Sequence, residues 1–211
     1  DGCDAGPPGV RQHANELLAL LEQAGETMEQ VAARLRDFSR GVKESHAPVD
    51  LFDAVQEAAF ILNDRFESLK IKAISPIVKA RYWVFGDRNQ IEQVFLNLFA
   101  NACDAMAKSP TRELHLDLDQ EPRNGRAFWH CAVRDTGAGI PSDELPRIFN
   151  AFYSNRAGAP GAGLGLCIAR SVLTEHGGEI AVDSEVGTGT IVHVWLPVYN
   201  QRQPFVKASA P

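Results

Sequence analysis

The sequence contains 211 residues, of which 45% are hydrophobic, enough to build the core of one full domain with an appendage. Its formal net charge is -6, and acidic and basic residues are interleaved without a long basic block. This charge pattern excludes the electrostatic footprint of a nucleic-acid-binding protein, so no nucleic-acid partner is expected.

The cysteines and the hydropathy pattern bear on the cellular location. Four cysteines, at positions 3, 103, 131 and 167, form no CxxC pair, so neither a zinc site nor a disulfide framework is predicted. No run of about 18 apolar residues occurs, and we expect this segment to be cytoplasmic without direct membrane contact. The sequence starts at Asp1 rather than Met, which suggests a fragment whose parent could have membrane segments upstream.

A long amphipathic helix is predicted over residues 12–40. Apolar residues advance there in alternating steps of four and three, which is the seam of a helical bundle or coiled coil. Gly25 should cost about 1 kcal/mol within this helix, yet the register continues across it. The positions in the seam are Leu17, Leu21, Ala24, Met28, Val31, Leu35 and Phe38. We assign residues 1–45 to a partial helical region.

Residues 46–199 read as an α/β domain, followed by a polar tail at 200–211 that we expect to be disordered. After a second amphipathic helix that ends near Leu69, helices are predicted from Arg88 to about Ala107 and from Leu164 to His176. The predicted strands are 71–74, 82–85, 113–119, 128–133, 179–183 and 190–196. The expected fold is an α/β sandwich of about five strands and three helices.

The helix that follows Asp87 has one polar face. Gln93, Asn97, Asn101 and Asp104 are spaced by four, four and three residues, so they share a face opposite an apolar one. An asparagine carbonyl is a neutral oxygen ligand suited to Mg²⁺, which takes its other ligands from water and nucleotide phosphates. The alternative is a solvated polar face without ligands.

The segment Asp135-Thr-Gly-Ala-Gly-Ile140 places a carboxylate at the end of an apolar strand. A partly buried Asp135 needs a hydrogen-bond donor, and the exocyclic amine of adenine is one, whereas guanine has a carbonyl at that position. Gly137 and Gly139 permit backbone conformations that other residues avoid. The alternative is an ordinary β-turn, which Asp-Thr-Gly also favours.

The glycine-rich segment Gly161-Ala-Gly-Leu-Gly-Leu166 leads into a helix. Backbone N–H groups at a helix N-terminus favour phosphate binding. The preceding stretch 154–163 carries Arg156 as its only charge, which predicts a lid with a cation for phosphate; the alternative is a plain linker. In the glycine-bearing turn 183–191, Thr190 could support Asp135 near the base, although hairpin chemistry explains these glycines almost as well.

These segments, in this order, resemble the ATP-binding domain of sensor histidine kinases, within the superfamily of gyrase-type topoisomerases, mismatch-repair ATPases and large ATP-dependent chaperones. The match covers roughly residues 47–198. The segments are 93–106 (asparagine box), 135–140, 161–166 and 187–190 (glycine boxes) and 148–152 (phenylalanine box).

The resemblance implies a Bergerat-type two-layer sandwich with a mixed sheet that binds ATP and Mg²⁺. It implies that Asn101 ligates Mg²⁺, Asn97 lies by the phosphates and Asp135 reads adenine, with Arg156 joining the two asparagines in catalysis. The implied nucleotide-binding residues are Asn97, Asn101, Asp104, Asp135, Gly137, Gly139, Ile140, Phe152, Gly161, Gly163, Leu164, Gly165, Leu166 and Thr190. The implied partners are a second copy, through the N-terminal helix, and a response-regulator receiver domain.

Three departures from the family pattern affect the expected chemistry. Relatives that hydrolyse ATP carry a glutamate where this chain has Asn97, which cannot accept a proton, so phosphoryl transfer is favoured over hydrolysis. Asp104 stands where many relatives have lysine. Neither His13 nor His46 fits the family's phospho-accepting histidine, which we expect to be absent from this chain. Alternatives are a noncatalytic dimerising scaffold, a chaperone- or topoisomerase-like ATPase and, more weakly, a serine kinase.

Overall fold

A computed structural model describes residues 46–77, 80–153 and 163–200. The predicted N-terminal helix, most of the predicted lid and the C-terminal tail lie outside these residues, as do His13, Arg156 and Gly161.

A five-stranded mixed sheet forms one layer of the described domain, in the order β2-β4-β5-β7-β6. β2 pairs with β4 in parallel, and the other pairings are antiparallel. A separate antiparallel pair joins β1 and β3. The strands are β1 (Ala47–Asp50), β2 (Lys72–Ile74), β3 (Trp83–Gly86), β4 (Glu113–Arg123), β5 (Arg126–Asp135), β6 (Glu179–Glu185) and β7 (Gly189–Pro197).

Helices form the second layer and cover one face of the sheet. The helices are α1 (Leu51–Ile61), α2 (Asn63–Leu69), α3 (Arg88–Met106) and α4 (Gly165–Glu175), with a 3-10 turn at Leu145–Arg147. The apolar face predicted for α3 is buried in full. It meets alternate residues of the strands, because side chains of a strand point to opposite faces in turn. The buried residues of this contact are Ile91, Val94, Phe95, Leu98, Ala102, Leu114, Leu116, Val133, Val192, Val194 and Leu196.

The opposite face of the sheet is polar. His130 of β5 and His193 of β7 are hydrogen-bonded through Nε2 and Nδ1 at 2.9 Å. Glu121 pairs with His130 at 2.9 Å, and Asp183 pairs with His193 at 3.1 Å. The edge strand β6 exposes three carboxylates, those of Glu179, Asp183 and Glu185, and the other edge strand, β2, has only three residues. The two-layer α/β architecture predicted from the sequence is confirmed.

Two details of the predicted fold are wrong. The single helix expected up to Leu69 is two helices, because the chain leaves helical geometry at Leu62 with φ -95° and ψ 7°. Asn63 and Asp64 follow, and such residues favour helix starts over helix interiors. The described residues also form one strand more than the six ranges predicted, because β1 was not predicted. No helix within the described residues is long and apolar enough to span a membrane.

Candidate functional site

Asp87 caps the helix that carries the polar face. Its Oδ1 accepts hydrogen bonds from the backbone N–H groups of Asn89 at 2.8 Å and Gln90 at 3.2 Å. These bonds satisfy donors that the first turn leaves without helical partners. The backbone N–H of Asp87 in turn donates to Nε2 of His176 at 3.0 Å. The start of α3 is therefore held against the end of α4.

His176 is buried and neutral at this junction. It is 2% exposed, and its Nδ1–H donates to the carbonyl oxygen of Val172 at 2.7 Å. Burial lowers the pKa of His176 below its ordinary value, and the Val172 carbonyl opposes that shift. The two bonds require the tautomer with a proton on Nδ1 and a lone pair on Nε2. Gly86 lies so close that an added Cβ would stand 2.1 Å from the imidazole Cδ2.

The two asparagines of α3 face the beginning of α4. Asn97 is 6% exposed, accepts from Gln93 Nε2 at 3.1 Å and donates through Nδ2 to the Gly165 carbonyl oxygen at 3.3 Å. Asn101, one turn further, is exposed. A Cβ added at Gly165 would lie 3.6 Å from Asn101 Nδ2, which is ordinary contact. The asparagine row and the glycine-rich segment, predicted separately, therefore meet.

Asp104 continues this polar face and forms an ion pair with Arg65 of α2. The side chains are 29% and 37% exposed, respectively. A negative residue on the predicted polar face of α3 is thus accompanied by a positive one from another helix.

The Asp135–Ile140 loop lies against the other end of α3. Asp135 is 6% exposed, and its Oδ1 accepts from the Gly137 N–H at 2.8 Å. The Ala138 N–H donates to the carbonyl oxygen of Ala105 at 3.2 Å. A Cβ on Gly137 would lie 2.6 Å from the Cβ of Ala105, so the close approach of loop and helix requires a glycine.

The same loop is held on its other side by the turn between β6 and β7. Gly139 has φ +72°, and an added Cβ would stand 2.1 Å from the Glu185 carbonyl oxygen. The Ile140 N–H donates to Ser184 Oγ at 2.8 Å. Ser184 Oγ also lies 2.9 Å from Thr190 Oγ1. Thr190 is buried and stands opposite Asp135 in the strand register.

The glycine-rich segment is described from Gly163 onward. Phe152 has φ +64° and is 65% exposed, and a Cβ on Gly163 would stand 2.5 Å from the Tyr153 carbonyl oxygen. The described residues on either side of positions 154–162 therefore lie close together. Leu164 is 5% exposed, and Leu166 packs against the core, so both anchor the start of α4.

The donor set suits a nucleotide better than a metal held by protein alone. Among the described residues, no group of three His, Cys, Asp or Glu side chains could hold a metal ion. The polar face instead presents an amide and a carboxylate to solvent beside a helix N-terminus, and Mg²⁺ is commonly held by one or two such groups together with phosphate oxygens. The buried carboxylate of Asp135 lies near the C-terminal end of α3, where it could accept a hydrogen bond from a purine amine.

Comparison with known proteins decides the family. Over residues 86–200 the sequence matches the family described as histidine kinase-, DNA gyrase B-, and HSP90-like ATPase. The chain belongs to this ATPase family. The matched range contains α3, the Asp135 loop and α4, so it covers all three segments of the candidate site.

The similar proteins are sensor kinases. ZraS, a sensor histidine kinase of Salmonella typhimurium, is 26% identical over 197 residues, which is 93% of this chain and 40% of ZraS. The sensor protein FixL of Bradyrhizobium diazoefficiens is 31% identical over 173 residues, 82% of this chain and 33% of FixL. The chain thus spans well under half of these ATPase-family relatives.

Solved structures of sensor histidine kinases have a similar fold. The mycobacterial sensor histidine kinase MprB has a TM-score of 0.60 at 26% identity and covers 72% of this chain and 97% of that chain. Full-length ShkA in complex with AMPPNP has a TM-score of 0.62 at 25% identity and covers 93% of this chain and 39% of that chain. The predicted resemblance to the ATP-binding domain of sensor histidine kinases and the predicted fold are confirmed. The individual site residues remain predictions.

Sequence reasoning missed three contributors to this site. Ser184, Arg65 and His176 were not predicted, although each contacts a predicted segment. Serine in an edge strand and arginine on a short helix carry no local signal. The sequence did predict that α3 begins after Asp87 and that α4 ends near His176. It did not predict the hydrogen bond between Asp87 and His176.

Proposed function

We propose that this chain is the catalytic ATP-binding region of a histidine kinase, which binds Mg·ATP and transfers the γ-phosphoryl group to a histidine that the chain itself does not present. The supporting observation is the meeting of three motif segments on one helix. Gly165 bonds to Asn97 near the middle of α3, and Ala138 bonds to Ala105 near the C-terminal end of that helix.

The roles follow from the position of each group. Asp135 would accept the exocyclic amine of adenine, and the start of α4 would place backbone N–H groups by the phosphates. Asn101 would supply an oxygen to Mg²⁺, which neutralises phosphate charge when bound. Asn97 is already engaged by Gln93 and Gly165, which suits a residue that positions α4 rather than one that takes a proton.

Because Asn97 cannot activate water, we infer transfer to a protein side chain rather than free hydrolysis. Phosphoryl transfer needs positioning and charge neutralisation more than covalent help from the protein. Residues 1–45 would form the helical dimerisation region, and residues 46–199 the ATP-binding domain. A receiver domain would be the next acceptor, with the chain acting in the cytosol. Arg156 and Gly161 would complete the lid.

The nucleotide part of the proposal is tested by binding. Full-chain protein should bind ATP in preference to GTP, and Asp135→Asn should weaken ATP affinity by roughly tenfold or more because a charge-assisted hydrogen bond to the base is lost. Asp119→Asn, which removes an exposed carboxylate of β4, is the matched control and should bind as the wild type does. Equal affinity for ATP and GTP in the wild type would contradict the assignment of Asp135.

The transfer part is tested with γ-labelled ATP and Mg²⁺, with and without a bundle helix that carries a histidine. We expect labelled protein only in the reaction that contains this helix. The label should be lost in acid, as that of phosphohistidine is. Steady phosphate release without any phosphoprotein would support the ATPase alternative. Nucleotide binding without either product would support the scaffold, and an acid-stable label would support the serine kinase.

A further inference from the structure

Arg65 brings a positive charge onto the polar face of α3 from a different helix. Its guanidinium pairs with Asp104, and the pair is partly exposed to solvent on both sides. The guanidinium also lies near Cys103: burial raises the pKa of that thiol to about 11, and the charge of Arg65 opposes the rise. Phe66, the next residue of α2, packs edge-on against Phe99 of α3 with ring centroids 6.2 Å apart. The backbone that carries Arg65 is therefore anchored on α3.

This charge is next to the proposed cation ligand. Asp104 follows Asn101 by three residues, so the two side chains share a face, with a rise of about 4.5 Å between them along the helix. A lone carboxylate at this distance would repel a polyphosphate. A guanidinium carries five N–H donors, of which one carboxylate can engage two, and its remaining donors suit phosphate oxygens.

We propose that Arg65 binds the phosphates of the nucleotide and that Asp104 holds its guanidinium in position. This inference rests on the proposed ATP site and adds to it a phosphate ligand from α2, an element outside the motif segments. Asp104 thereby acquires a role consistent with its negative charge: it orients a cation rather than meeting the phosphates itself.

Arg112 provides a matched contrast at the same junction of α2 and α3. Its Nη1 donates to the carbonyl oxygen of Leu69 at 2.6 Å, and its Nε donates to that of Ser109 at 3.0 Å. Both acceptors are backbone groups at the ends of the two helices, so Arg112 ties the helices together. Arg112→Met should lower the melting temperature and leave the relative affinities for ATP and adenosine unchanged.

The test compares ATP, ADP and adenosine binding to full-chain protein by calorimetry, with Mg²⁺ present. Arg65→Met should weaken ATP binding about tenfold or more and ADP binding clearly, since a charge-assisted contact is lost, while adenosine affinity stays within about twofold of the wild type. Thermal unfolding reports whether the variant is folded. If Arg65→Met does not fold, Arg65→Gln carries the same comparison.

Three results would overturn the inference. An equal loss of ATP and adenosine binding would make Arg65 a structural residue like Arg112. Wild-type ATP affinity in the double variant Arg65→Met/Asp104→Asn would show that Arg65 only cancels the carboxylate, whereas we expect this variant to remain weak for ATP. An Arg65→Met variant that binds ATP and adenosine as tightly as the wild type would also overturn the inference, but it would leave the proposed function intact. Failure of the wild type itself to bind ATP or adenosine would refute the proposed function as well.

Discussion

Gly139→Ala is expected to destabilise the protein and to disturb the base-reading end of the site. Gly139 combines a φ of +72° with a position where an added Cβ would stand 2.1 Å from the Glu185 carbonyl oxygen and 2.9 Å from the Cα of Val186. The obstacle is backbone in both cases, so no side-chain rotation can relieve it. The loop and the β6–β7 turn must move apart.

The magnitude has two parts. Left-handed backbone costs a residue with a Cβ about 1–2 kcal/mol relative to glycine. Separating backbone from a new methyl group adds roughly 1–3 kcal/mol, the usual cost of overpacking. Gly125→Ala isolates the first part, because Gly125 has φ +76° and nothing within 4 Å of its added Cβ. The free energy of unfolding should therefore fall by about 2–5 kcal/mol for Gly139→Ala and by about 1–2 kcal/mol for Gly125→Ala.

Urea unfolding of both variants, followed by ATP titration under conditions where both are folded, provides the assay. Gly139→Ala should bind ATP more weakly, because the shift moves the loop that follows Asp135, and Gly125→Ala should bind normally. The reasoning is refuted if the two variants lose the same stability and bind ATP alike, since the backbone contact at Gly139 would then have no energetic consequence.

Three further predictions concern buried groups. Burial holds the pKa of His176 below its ordinary 6.5, so below pH 6.5 the unfolded chain takes up a proton that the folded chain does not. The stability present above pH 6.5 should therefore be lost as the pH falls below that value, by at most about 1.4 kcal/mol per pH unit. Urea titrations at several pH values should show a smaller dependence of the free energy of unfolding on pH for His176→Gln. Asp87→Ala should lower the free energy of unfolding by about 1 kcal/mol, whereas Asp87→Asn keeps the capping oxygen; equal losses would contradict the capping role. Burial raises the pKa of Cys103 to about 11 and raises that of Cys131 further. Alkylation of the native protein, followed by mass spectrometry, should therefore modify Cys167 and spare these two thiols. Modification of Cys131 at the rate of Cys167 would contradict its burial.

The elements predicted well are those whose signals are local. Asp87 as a cap and the repeat of apolar residues predicted α3, and Gly177 with Gly178 predicted the end of α4, which is Glu175 with His176 as its cap. β4 and β5 run further than predicted, to Arg123 and from Arg126, around the Asn124–Gly125 turn. That end of the hairpin projects beyond the core, so its polar residues show no hydrophobic alternation.

The features that were missed depend on residues far apart in the sequence. β1 has four residues and becomes a strand only by pairing with β3, where Val49 stands opposite Val84. The bond from Ile140 to Ser184 spans 44 positions, and the pair of Arg65 with Asp104 spans 39. The motif segments could be recognised because each carries its own chemistry. Their supporting contacts could not, because serine and arginine are common surface residues.

The charged edge of the sheet has a consequence for solubility. Since β6 presents Glu179, Asp183 and Glu185 outward, a second copy that tried to extend the sheet there would bring like charges together, and the three-residue β2 offers too short a template at the other side. Self-association into fibrils through strand addition is therefore disfavoured at both ends. Among the described residues, helices cover only one face of this sheet, so the protection of its two edges matters for keeping separate copies apart.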